Sequence, residues 1–280
     1  MNLTDWIGRS ETVTDTVAPT PYAALSAMLD RDPQRPPVGT LLPALWHWLY
    51  FLPLHRQSEI GPDGHAKRGG FLPPVPLPRR MWAGSQFQFH SPLRVGDALM
   101  RTSTIHDVTE KSGRTGPLVF VKVRHEIQRD GEADVALTEF HDIVYREAPS
   151  AEQPATAPTT APAISPWERK WVPDDVLLFR YSALTFNGHR IHYDRRYVTE
   201  VEGYPGLIVH GPLIATLLVD LLRRERPEAR LGAFEFRAMS PLFDTAPFSV
   251  CGRFDDTKHA TLWARGPQGQ LAMQASATLA

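Results

Sequence analysis

The alternation of hydrophobic and polar residues along the chain predicts several β-strands and a smaller number of helices. Strands are predicted where large apolar residues recur at every second position between glycine-containing turns, over residues 118–126, 136–145, 249–254, 261–265 and 270–279. Helices are predicted where apolar residues recur every three or four positions, over residues 20–29, 174–183 and 212–224. The third helix has the broadest apolar surface, and we expect it to be buried in a core.

Two similar passages, one in each half of the chain, indicate an internal duplication. Residues 87–97 read FQFHSPLRVGD, and residues 234–244 read FEFRAMSPLFD. In each passage alternating aromatic residues are followed by Ser-Pro-Leu and an aspartate, which is typical of a strand that ends in a turn. The duplication predicts two α+β halves, each with an antiparallel sheet and a buried helix.

A proline-rich segment separates the two halves. Residues 148–166 contain five prolines and one charged residue, a composition that cannot bury a core and that favours an extended connection. We therefore divide the chain into a first half, residues 1–147, a linker, residues 148–166, and a second half, residues 167–280.

Composition and charge exclude several classes of protein. The 30 Lys and Arg residues balance 31 Asp and Glu residues to a net charge of −1, which argues against a general nucleic-acid-binding protein. A single cysteine, Cys251, excludes an intramolecular disulfide and a cysteine-rich metal site. No apolar run approaches the ~18 residues of a membrane span, and the first residues do not resemble a secretory signal. We expect a cytoplasmic protein that binds neither nucleic acid nor membranes.

Candidate catalytic side chains are densest between residues 180 and 213, and they include Asn187, His189 and His192. One interpretation is a metal centre, because the two histidines and Asp194 are close enough in sequence to supply ligands. However, the helical His-Glu-x-x-His pattern is absent and no cysteine supports the site. Another interpretation is that His189 and Asp194 only cap turns. We expect no metal in this segment.

The same segment resembles the signature of the MaoC-like hydratases, a family of R-specific enoyl-thioester hydratases with a hot-dog fold. Residues 186–192 read FNGHRIH, and residues 203–213 read GYPGLIVHGPL. The family pattern runs roughly Gly-Asp-x-Asn-Pro-Leu-His, and its five-residue interval between Asp and His is kept as Asn187 to His192. The family's aspartate is therefore replaced by an asparagine.

The chain is similar in particular to the type 2 hydroxyacyl-thioester dehydratase branch, which includes mesaconyl-C4-CoA and itaconyl-CoA hydratases. Passages of the first half carry this likeness: LPALWHWLYFLP at 42–53, GPDGHAKRGGFLPPVPLPRRMWAG at 61–84 and KSGRTGPLVFV at 111–121. The resemblance implies an α+β double hot-dog, in which two antiparallel sheets are each wrapped around a central helix. It also implies a degenerate first half and a catalytic second half.

The activity implied by this resemblance is that of a lyase. It would add water to a C5-dicarboxylic enoyl-CoA, itaconyl-CoA or mesaconyl-C4-CoA, and give citramalyl-CoA, as in itaconate degradation. Coenzyme A is part of that substrate, and no separate cofactor is expected. Three alternatives stay open: a 3-hydroxyacyl-thioester dehydratase of fatty-acid type, a hot-dog acyl-CoA thioesterase, and a non-catalytic acyl-CoA-binding module. A thioesterase would need a carboxylate near the helix, and Asn187 argues against it. Association into a homodimer is compatible with the sequence, which indicates no interface.

Hydration of an unsaturated thioester needs a base for the water, an acid for the α carbon and donors for the enolate oxygen. His192 has an ordinary pKa that suits both proton transfers. Asn187 is predicted to hold the water or the product hydroxyl through its amide. The N–H of Gly211, at the start of the third helix, is predicted to polarise the thioester carbonyl, since Pro212 has no N–H.

Arginines are the candidates for binding the free carboxylate of a C5 substrate, because a buried carboxylate favours an Arg fork. The candidates are Arg190, Arg79 and Arg80. Tyr181 and His210 complete the predicted substrate-binding set. The phosphates of coenzyme A have three candidate partners, which the sequence does not rank: Arg68, Lys111 and Arg114.

Overall fold

The computed structural model describes residues 2–113, 116–147 and 157–280, which form a ten-stranded antiparallel sheet. Its strands are β1 (Ser10–Thr16), β2 (Arg79–Phe89), β3 (Ala98–Gly113), β4 (Gly116–Arg129), β5 (Val135–Arg146), β6 (Trp167–Trp171), β7 (Leu231–Ala238), β8 (Phe248–Phe254), β9 (His259–Arg265) and β10 (Leu271–Leu279). Their order across the sheet is β1-β3-β4-β5-β2-β7-β10-β9-β8-β6. Each half contributes five strands in the same internal order. The predicted double hot-dog is confirmed, with its two sheets joined edge to edge.

Three α-helices accompany the sheet: α1 (Pro19–Met28), α2 (Asp175–Leu184) and α3 (Gly211–Glu225). The three helix predictions agree with these bounds to within one residue, and the five predicted strands correspond to β4, β5, β8, β9 and β10. In each half a helix, α1 or α2, follows the first strand. Residues 213–222 of α3 are all buried, so α3 is the central helix of the second half. Among the residues that the structure describes, no helix is long and apolar enough to cross a membrane.

The duplicated passages occupy equivalent places in the two halves. Each begins in a central strand, β2 or β7, and these two strands pair with Phe87 opposite Phe234. In both passages the leucine of Ser-Pro-Leu accepts a main-chain hydrogen bond from the segment that precedes a helix, at 2.8 Å for Leu93 and 2.9 Å for Leu242. The predicted duplication is therefore present in the fold, and the central Phe pair lies where the halves meet.

The described residues of the first half contain no counterpart of α3, the central helix of the second half. The segment equivalent to the start of α3 forms only a four-residue 3₁₀ helix, Trp46–Leu49, where α3 has 15 residues. Leu45, immediately before it, has a φ of 69°, in the left-handed region that a leucine rarely adopts. This residue turns the chain at the point where a longer helix would begin. The first half thus has its predicted helix, α1, but no counterpart of α3 among its described residues, and it is degenerate in this respect.

The inner face of the first half is polar at positions where the second half is apolar. In the first half, Glu139 of β5 lies opposite Phe87 of the central Phe pair, and His125 of β4 lies opposite Glu139. The equivalent pair in β10 and β9 is Ala277 and Ala260. Glu139 is buried and accepts hydrogen bonds from His47, Trp48 and Ser85 at 3.1–3.2 Å. A buried polar network therefore occupies the inner face that α3 covers in the second half.

A buried carboxylate joins the first half to α3. Asp220 of α3 accepts from Arg31 Nε at 2.5 Å and from Arg224 Nε at 2.7 Å, and its side chain is 1% exposed. Arg31 lies just beyond the end of α1. Because a buried carboxylate must be paired to be tolerated, this ion pair holds the two halves in one arrangement.

The predicted linker divides into two parts. Residues 148–156 lie outside the described residues. Within residues 157–166, Ala161 is buried against Cys251, Trp263 and Leu271, and its N–H donates to the carbonyl of Gly269 at 2.9 Å. This part is packed on the second half rather than extended in solvent. The boundaries at residues 147 and 167 stay predictions.

Candidate active site

His192 is a buried histidine with one defined hydrogen bond. It ends a 3₁₀ helix, Arg190–His192, and its Nδ1 lies 2.8 Å from the carbonyl oxygen of Ile208. A carbonyl only accepts, so Nδ1 carries the hydrogen and Nε2 carries the lone pair. Burial lowers the pKa of His192 to about 4. His192 is therefore neutral at pH 7, with Nε2 ready to accept a proton.

The ring of His192 stacks on His210, with centroids 3.7 Å apart and planes inclined by 19°. His210 is the N-cap of α3, and its Nε2 lies 2.8 Å from Ser182 Oγ. The Tyr181 ring packs edge-on against it at 5.0 Å. His210 and Tyr181 are 0% and 2% exposed. In this structure they support the His192 ring, and their substrate-binding role stays a prediction.

Gly211 is the first residue of α3, and Pro212 follows it. Its N–H makes no hydrogen bond within the part of the chain that the structure describes. A Cβ added at Gly211 would meet no atom within 4 Å, so free space adjoins the helix start. Unpartnered N–H groups at a helix N-terminus favour negative charge. Gly211 therefore offers a donor for a developing oxyanion, one residue from the His210 ring on which His192 stacks.

The hydrogen bonds of Asn187 limit which of its atoms could hold water or the product hydroxyl. Its side-chain Oδ1 accepts from the N–H of His189 at 3.0 Å, and its own N–H donates to the carbonyl of Ser182 at 2.8 Å. The residue before it, Phe186, has a φ of 50°. Asn187 thus shapes the turn between α2 and His192 through its carbonyl oxygen. A part in holding water or the product hydroxyl stays a prediction and would fall to Nδ2.

A loop of the first half reaches this turn. The N–H of Arg190 donates to the carbonyl of Asp63 at 2.9 Å. Gly64 has a φ of +89°, and a Cβ there would overlap the carbonyl oxygen of Gly188. The close approach of the two glycines therefore requires that both lack a side chain. Sequence reasoning used the GPDGH passage only as a mark of family likeness and missed its place in the site.

This loop brings an Asp–His pair against the site. Asp63 Oδ2 lies 3.0 Å from His65 Nδ1, and the His65 ring lies 3.9 Å from the ring of His189. Burial lowers the pKa of His65, and it lowers that of His189 to about 2. Burial is the largest single effect and would raise the pKa of Asp63, but the hydrogen bonds and charge of His65, together with His189, outweigh it and hold the pKa well below its usual range. An ionised Asp63 therefore faces two neutral histidines.

The side chains that the structure brings together as possible metal ligands are not the set that was considered from the sequence. Ligand atoms of Asp63, His65 and His189 all lie within 4.8 Å of one another. Asp194, weighed as a ligand with His189 and His192, instead accepts from the Arg190 guanidinium and from the N–H of Tyr197. The hydrogen bond between Asp63 and His65 accounts for their closeness, and we assign no metal to either group.

Two of the three arginines predicted to bind a carboxylate are engaged within the protein. Arg79 lies 3.3 Å from the Glu202 carboxylate and donates to Tyr204 Oη at 2.8 Å. Arg190 lies 2.7 Å from the Asp194 carboxylate. Both side chains therefore hold the segment around the site together.

Arg80 differs from these two arginines. It makes no ion pair within residues 2–113, 116–147 and 157–280, and it lies opposite the buried Tyr145 on the neighbouring strand. Its positive charge contributes to the lowered pKa values of His65 and His189. Arg80 is thus a cation close to the histidines with no carboxylate partner of its own in the described chain.

The candidate partners of the coenzyme A phosphates stay predictions. The Arg68 guanidinium donates to the carbonyls of Val75 and Pro78. The Lys111 ammonium lies 5.1 Å from the centroid of the Phe120 ring. Arg114 lies outside the described residues.

The fold and the site define a double hot-dog protein of MaoC-like type. The family model of the hydroxyacyl-thioester dehydratases type 2 matches residues 45–244, and the chain belongs to this family. It is 47% identical to the mesaconyl-C4-CoA hydratase of Chloroflexus aurantiacus over 98% of this chain and 96% of that protein. It is 28% identical to the mitochondrial hydroxyacyl-thioester dehydratase type 2 of Schizosaccharomyces pombe over 74% and 76% of the two chains.

Solved structures support the fold. A MaoC-like dehydratase superimposes with a TM-score of 0.72 at 12% identity, over 99% of both chains. A MaoC-like dehydratase of Phytophthora capsici gives a TM-score of 0.67 at 13% identity, over 99% of this chain and 97% of that chain. A Mycobacterium tuberculosis protein described as having a double hotdog fold gives 0.60 at 13% identity, over 98% and 96%.

Proposed function

We propose that this chain is a hydratase of C5-dicarboxylic enoyl-CoA thioesters, with mesaconyl-C4-CoA as substrate and citramalyl-CoA as product. One observation carries the chemistry: a neutral His192 stacks on the N-cap of α3, beside the N–H of Gly211, which makes no hydrogen bond to any residue that the structure describes. This arrangement supplies a proton acceptor and an oxyanion donor next to each other. The 47% identity to a mesaconyl-C4-CoA hydratase supports the substrate.

In the proposed reaction, His192 carries out both proton transfers. Nε2 takes a proton from water as the oxygen bonds to the β carbon, and the π electrons move onto the thioester oxygen. The Gly211 N–H stabilises the resulting enolate. The enolate then collapses, and the His192 imidazolium returns its proton to the α carbon. Atoms balance, since one water is added and His192 ends neutral.

Arg80 is the proposed partner of the substrate carboxylate. In mesaconyl-C4-CoA this carboxylate is attached to the β carbon, the carbon that receives the water. Arg79 and Arg190 already pair with carboxylates of the chain, whereas Arg80 makes no ion pair in its described part. A guanidinium can bind a carboxylate through two parallel hydrogen bonds.

Itaconyl-CoA is proposed as a second substrate. Its double bond lies one carbon further from the thioester, so direct addition is not assisted by the enolate. Removal of an α proton and reprotonation of the γ carbon give the conjugated isomer, which then adds water. The same histidine and helix terminus serve these steps. The proposal thus includes a part in itaconate degradation, a cytoplasmic location, and no cofactor beyond the coenzyme A of the substrate.

A 3-hydroxyacyl-thioester dehydratase of fatty-acid type is the second candidate. The 28% identity to the Schizosaccharomyces pombe enzyme favours it. A long acyl chain needs an apolar channel, however, and the inner face of the first half carries the buried Glu139 with His47, Trp48 and Ser85. Although Glu139, His47 and Ser85 are themselves buried, they make this face polar, and a polar face disfavours a long apolar chain.

A panel of CoA esters decides between the candidates. We expect mesaconyl-C4-CoA to lose its enoyl absorbance and to gain the mass of one water, and itaconyl-CoA to give the same product. Good turnover of crotonyl-CoA or longer enoyl-CoA without turnover of either C5 ester would overturn the substrate assignment. Release of free coenzyme A would indicate a thioesterase. Binding without any reaction would indicate a non-catalytic module.

A further inference from the structure

Water that adds to the β carbon has two hydrogens, and the proposed function assigns only one of them. His192 Nε2 takes the proton that is transferred. The second hydrogen needs an acceptor that fixes the water's lone pair toward the carbon. The family's aspartate is Asn187 here, and its Oδ1 already accepts from His189 N–H at 3.0 Å. One acceptor site of Oδ1 is therefore used, and a side chain with an unengaged lone pair is the better candidate to accept this hydrogen.

The loop of the first half supplies a suitable group. Ionised Asp63 accepts from His65 Nδ1 at 3.0 Å, so His65 Nε2, on the far side of the ring, carries the lone pair. An aspartate that fixes the tautomer of a histidine in this way is a recurring device of acid–base sites. Asp63 also accepts the N–H of His65 itself at 3.1 Å, which fixes the short loop.

The same loop is held rigidly against the catalytic turn of the second half. Arg190 donates its N–H to the Asp63 carbonyl at 2.9 Å and its Nη1 to the Pro62 carbonyl at 3.0 Å. The His65 ring lies 3.9 Å from the His189 ring, which in turn lies 5.5 Å from that of His192. The pair is only partly buried, with the His65 side chain 24% exposed and that of Asp63 41% exposed, so water can reach it at this place.

We propose that His65, oriented by Asp63, is a catalytic residue that accepts the second hydrogen of the attacking water through Nε2. The inference rests on the proposed hydratase function and deepens it. His192 removes one proton from the water and later delivers it to the α carbon, while His65 keeps its proton count unchanged throughout. The first half, although degenerate in its helix, thereby contributes to the chemistry.

The proposed binding of the substrate carboxylate to Arg80 agrees with a water held by His65. The groups that act electrostatically on His65 are Asp63, Arg80 and Arg68, together with the adjacent His189. If the substrate carboxylate binds Arg80, the β carbon to which it is attached lies on the His65 side of the site. The thioester carbonyl then lies on the side of His192 and the α3 terminus. This places one histidine near each of the two reacting carbons.

The test compares three variants with a matched control, using the full chain and mesaconyl-C4-CoA. We expect His65→Ala to lower kcat by about 10²-fold with little change in KM, as for loss of a transition-state contact. Asp63→Asn is expected to lower kcat less, because His65 stays but its tautomer is released. The control is His55→Ala, an exposed histidine of the same segment, which should keep wild-type turnover.

A pH profile separates catalysis from a structural role. The wild-type kcat/KM should fall steeply in acid, because protonation of either His192 or His65 removes an acceptor. In His65→Gln the amide oxygen still accepts a hydrogen bond but does not titrate. This variant should retain more activity than His65→Ala. The acid limb of its kcat/KM profile should show one protonation instead of two. It also decides the matter if His65→Ala does not fold.

The outcomes are distinct. A folded His65→Ala that keeps wild-type kcat overturns the role of His65, as does a His65→Gln whose acid limb matches the wild type. A wild-type protein that hydrates crotonyl-CoA but no C5 ester overturns only the substrate, and the same variants then test His65 with crotonyl-CoA. A wild-type protein that hydrates no ester contradicts both proposals.

Discussion

The imidazole rings of His192 and His210 stack at 3.7 Å, and this contact connects the proposed acid–base residue to the start of α3. His210 is the N-cap of the helix, and the N–H of Gly211, which follows it, has no partner among the described residues. The carbonyl of Ile208 fixes the other side of the His192 ring at 2.8 Å. The proposed proton acceptor and the proposed oxyanion donor are therefore held in one packed unit, as catalysis by preorganised groups requires.

Asn187 is tested by a pair of substitutions. Asn187→Ala removes the hydrogen bond to the His189 N–H and should lower turnover by roughly tenfold or more, because the turn before His192 loosens. Asn187→Asp keeps the acceptor that shapes the turn, and it should retain part of the activity. Steady-state kinetics of both variants measure the effect. A mild effect of the alanine variant would contradict a role for this side chain.

Two glycine-to-alanine substitutions distinguish the effect of the contact between Gly64 and Gly188 from the effect of backbone strain. Gly64→Ala should lower turnover strongly, because its Cβ would overlap the Gly188 carbonyl and push the Asp63–His65 loop from the site. Gly69→Ala is the matched control, since Gly69 has a φ of +87° against +89° for Gly64 but only a 3.8 Å contact to Pro74. Comparable activity of the two alanine variants would show that the loop's position is unimportant for turnover.

Stability is expected to decline in mild acid. Burial lowers the pKa values of His125, His141 and His192 to about 3, 4 and 4. In the unfolded chain these histidines protonate near pH 6.5, so below that pH the unfolded state binds more protons than the folded state. Their contribution is complete above pH 6.5 and is lost as the pH falls toward about 4.

Urea unfolding at several pH values measures this decline. Each buried histidine contributes a slope of about 1.4 kcal/mol per pH unit between its unfolded and folded pKa values. His125→Gln should therefore flatten the pH dependence of the unfolding midpoint. A midpoint that stays constant from pH 7 to pH 5 would show that these histidines are not buried in neutral form.

The second half should not function alone. The sheet formed by residues 167–280 has β7 at its edge, where β7 pairs with β2 of the first half. Without the first half, Phe234 and Phe236 would lose their cover. Asp220 would also lose Arg31 as a partner. We expect this fragment to be insoluble or inactive, since it exposes an apolar edge strand and part of a buried ion pair. A soluble, active and monomeric fragment would contradict a catalytic unit built from both halves.

The sequence was informative wherever a local pattern determines the structure. The apolar spacing of residues 212–224 predicted the central helix, and the passages around Phe87 and Phe234 predicted the duplication. Family likeness indicated His192. These features depend on periodicity, on repeated residues or on a short motif, all of which can be read without knowing which segments meet.

Other parts of the site depend on contacts between distant segments. The approach of Gly64 to Gly188 depends on packing that no local pattern encodes. The same is true of the ion pair that engages Arg79 with Glu202. The missing helix of the first half follows from one unusual φ, that of Leu45, at a residue type that rarely adopts it. The one available signal for the loop was its Asp-Gly-His sequence, whose partner lies far along the chain.

The most direct test of the account is the turnover of mesaconyl-C4-CoA by the wild type and by His192→Ala, measured side by side on folded protein. His192 Nε2 is the proposed acceptor of the water proton and donor to the α carbon. The account predicts citramalyl-CoA from the wild type and a loss of about 10²–10⁴-fold in kcat for the variant, with the unfolding midpoint showing that it is folded. A folded His192→Ala that hydrates mesaconyl-C4-CoA at the wild-type rate would contradict it.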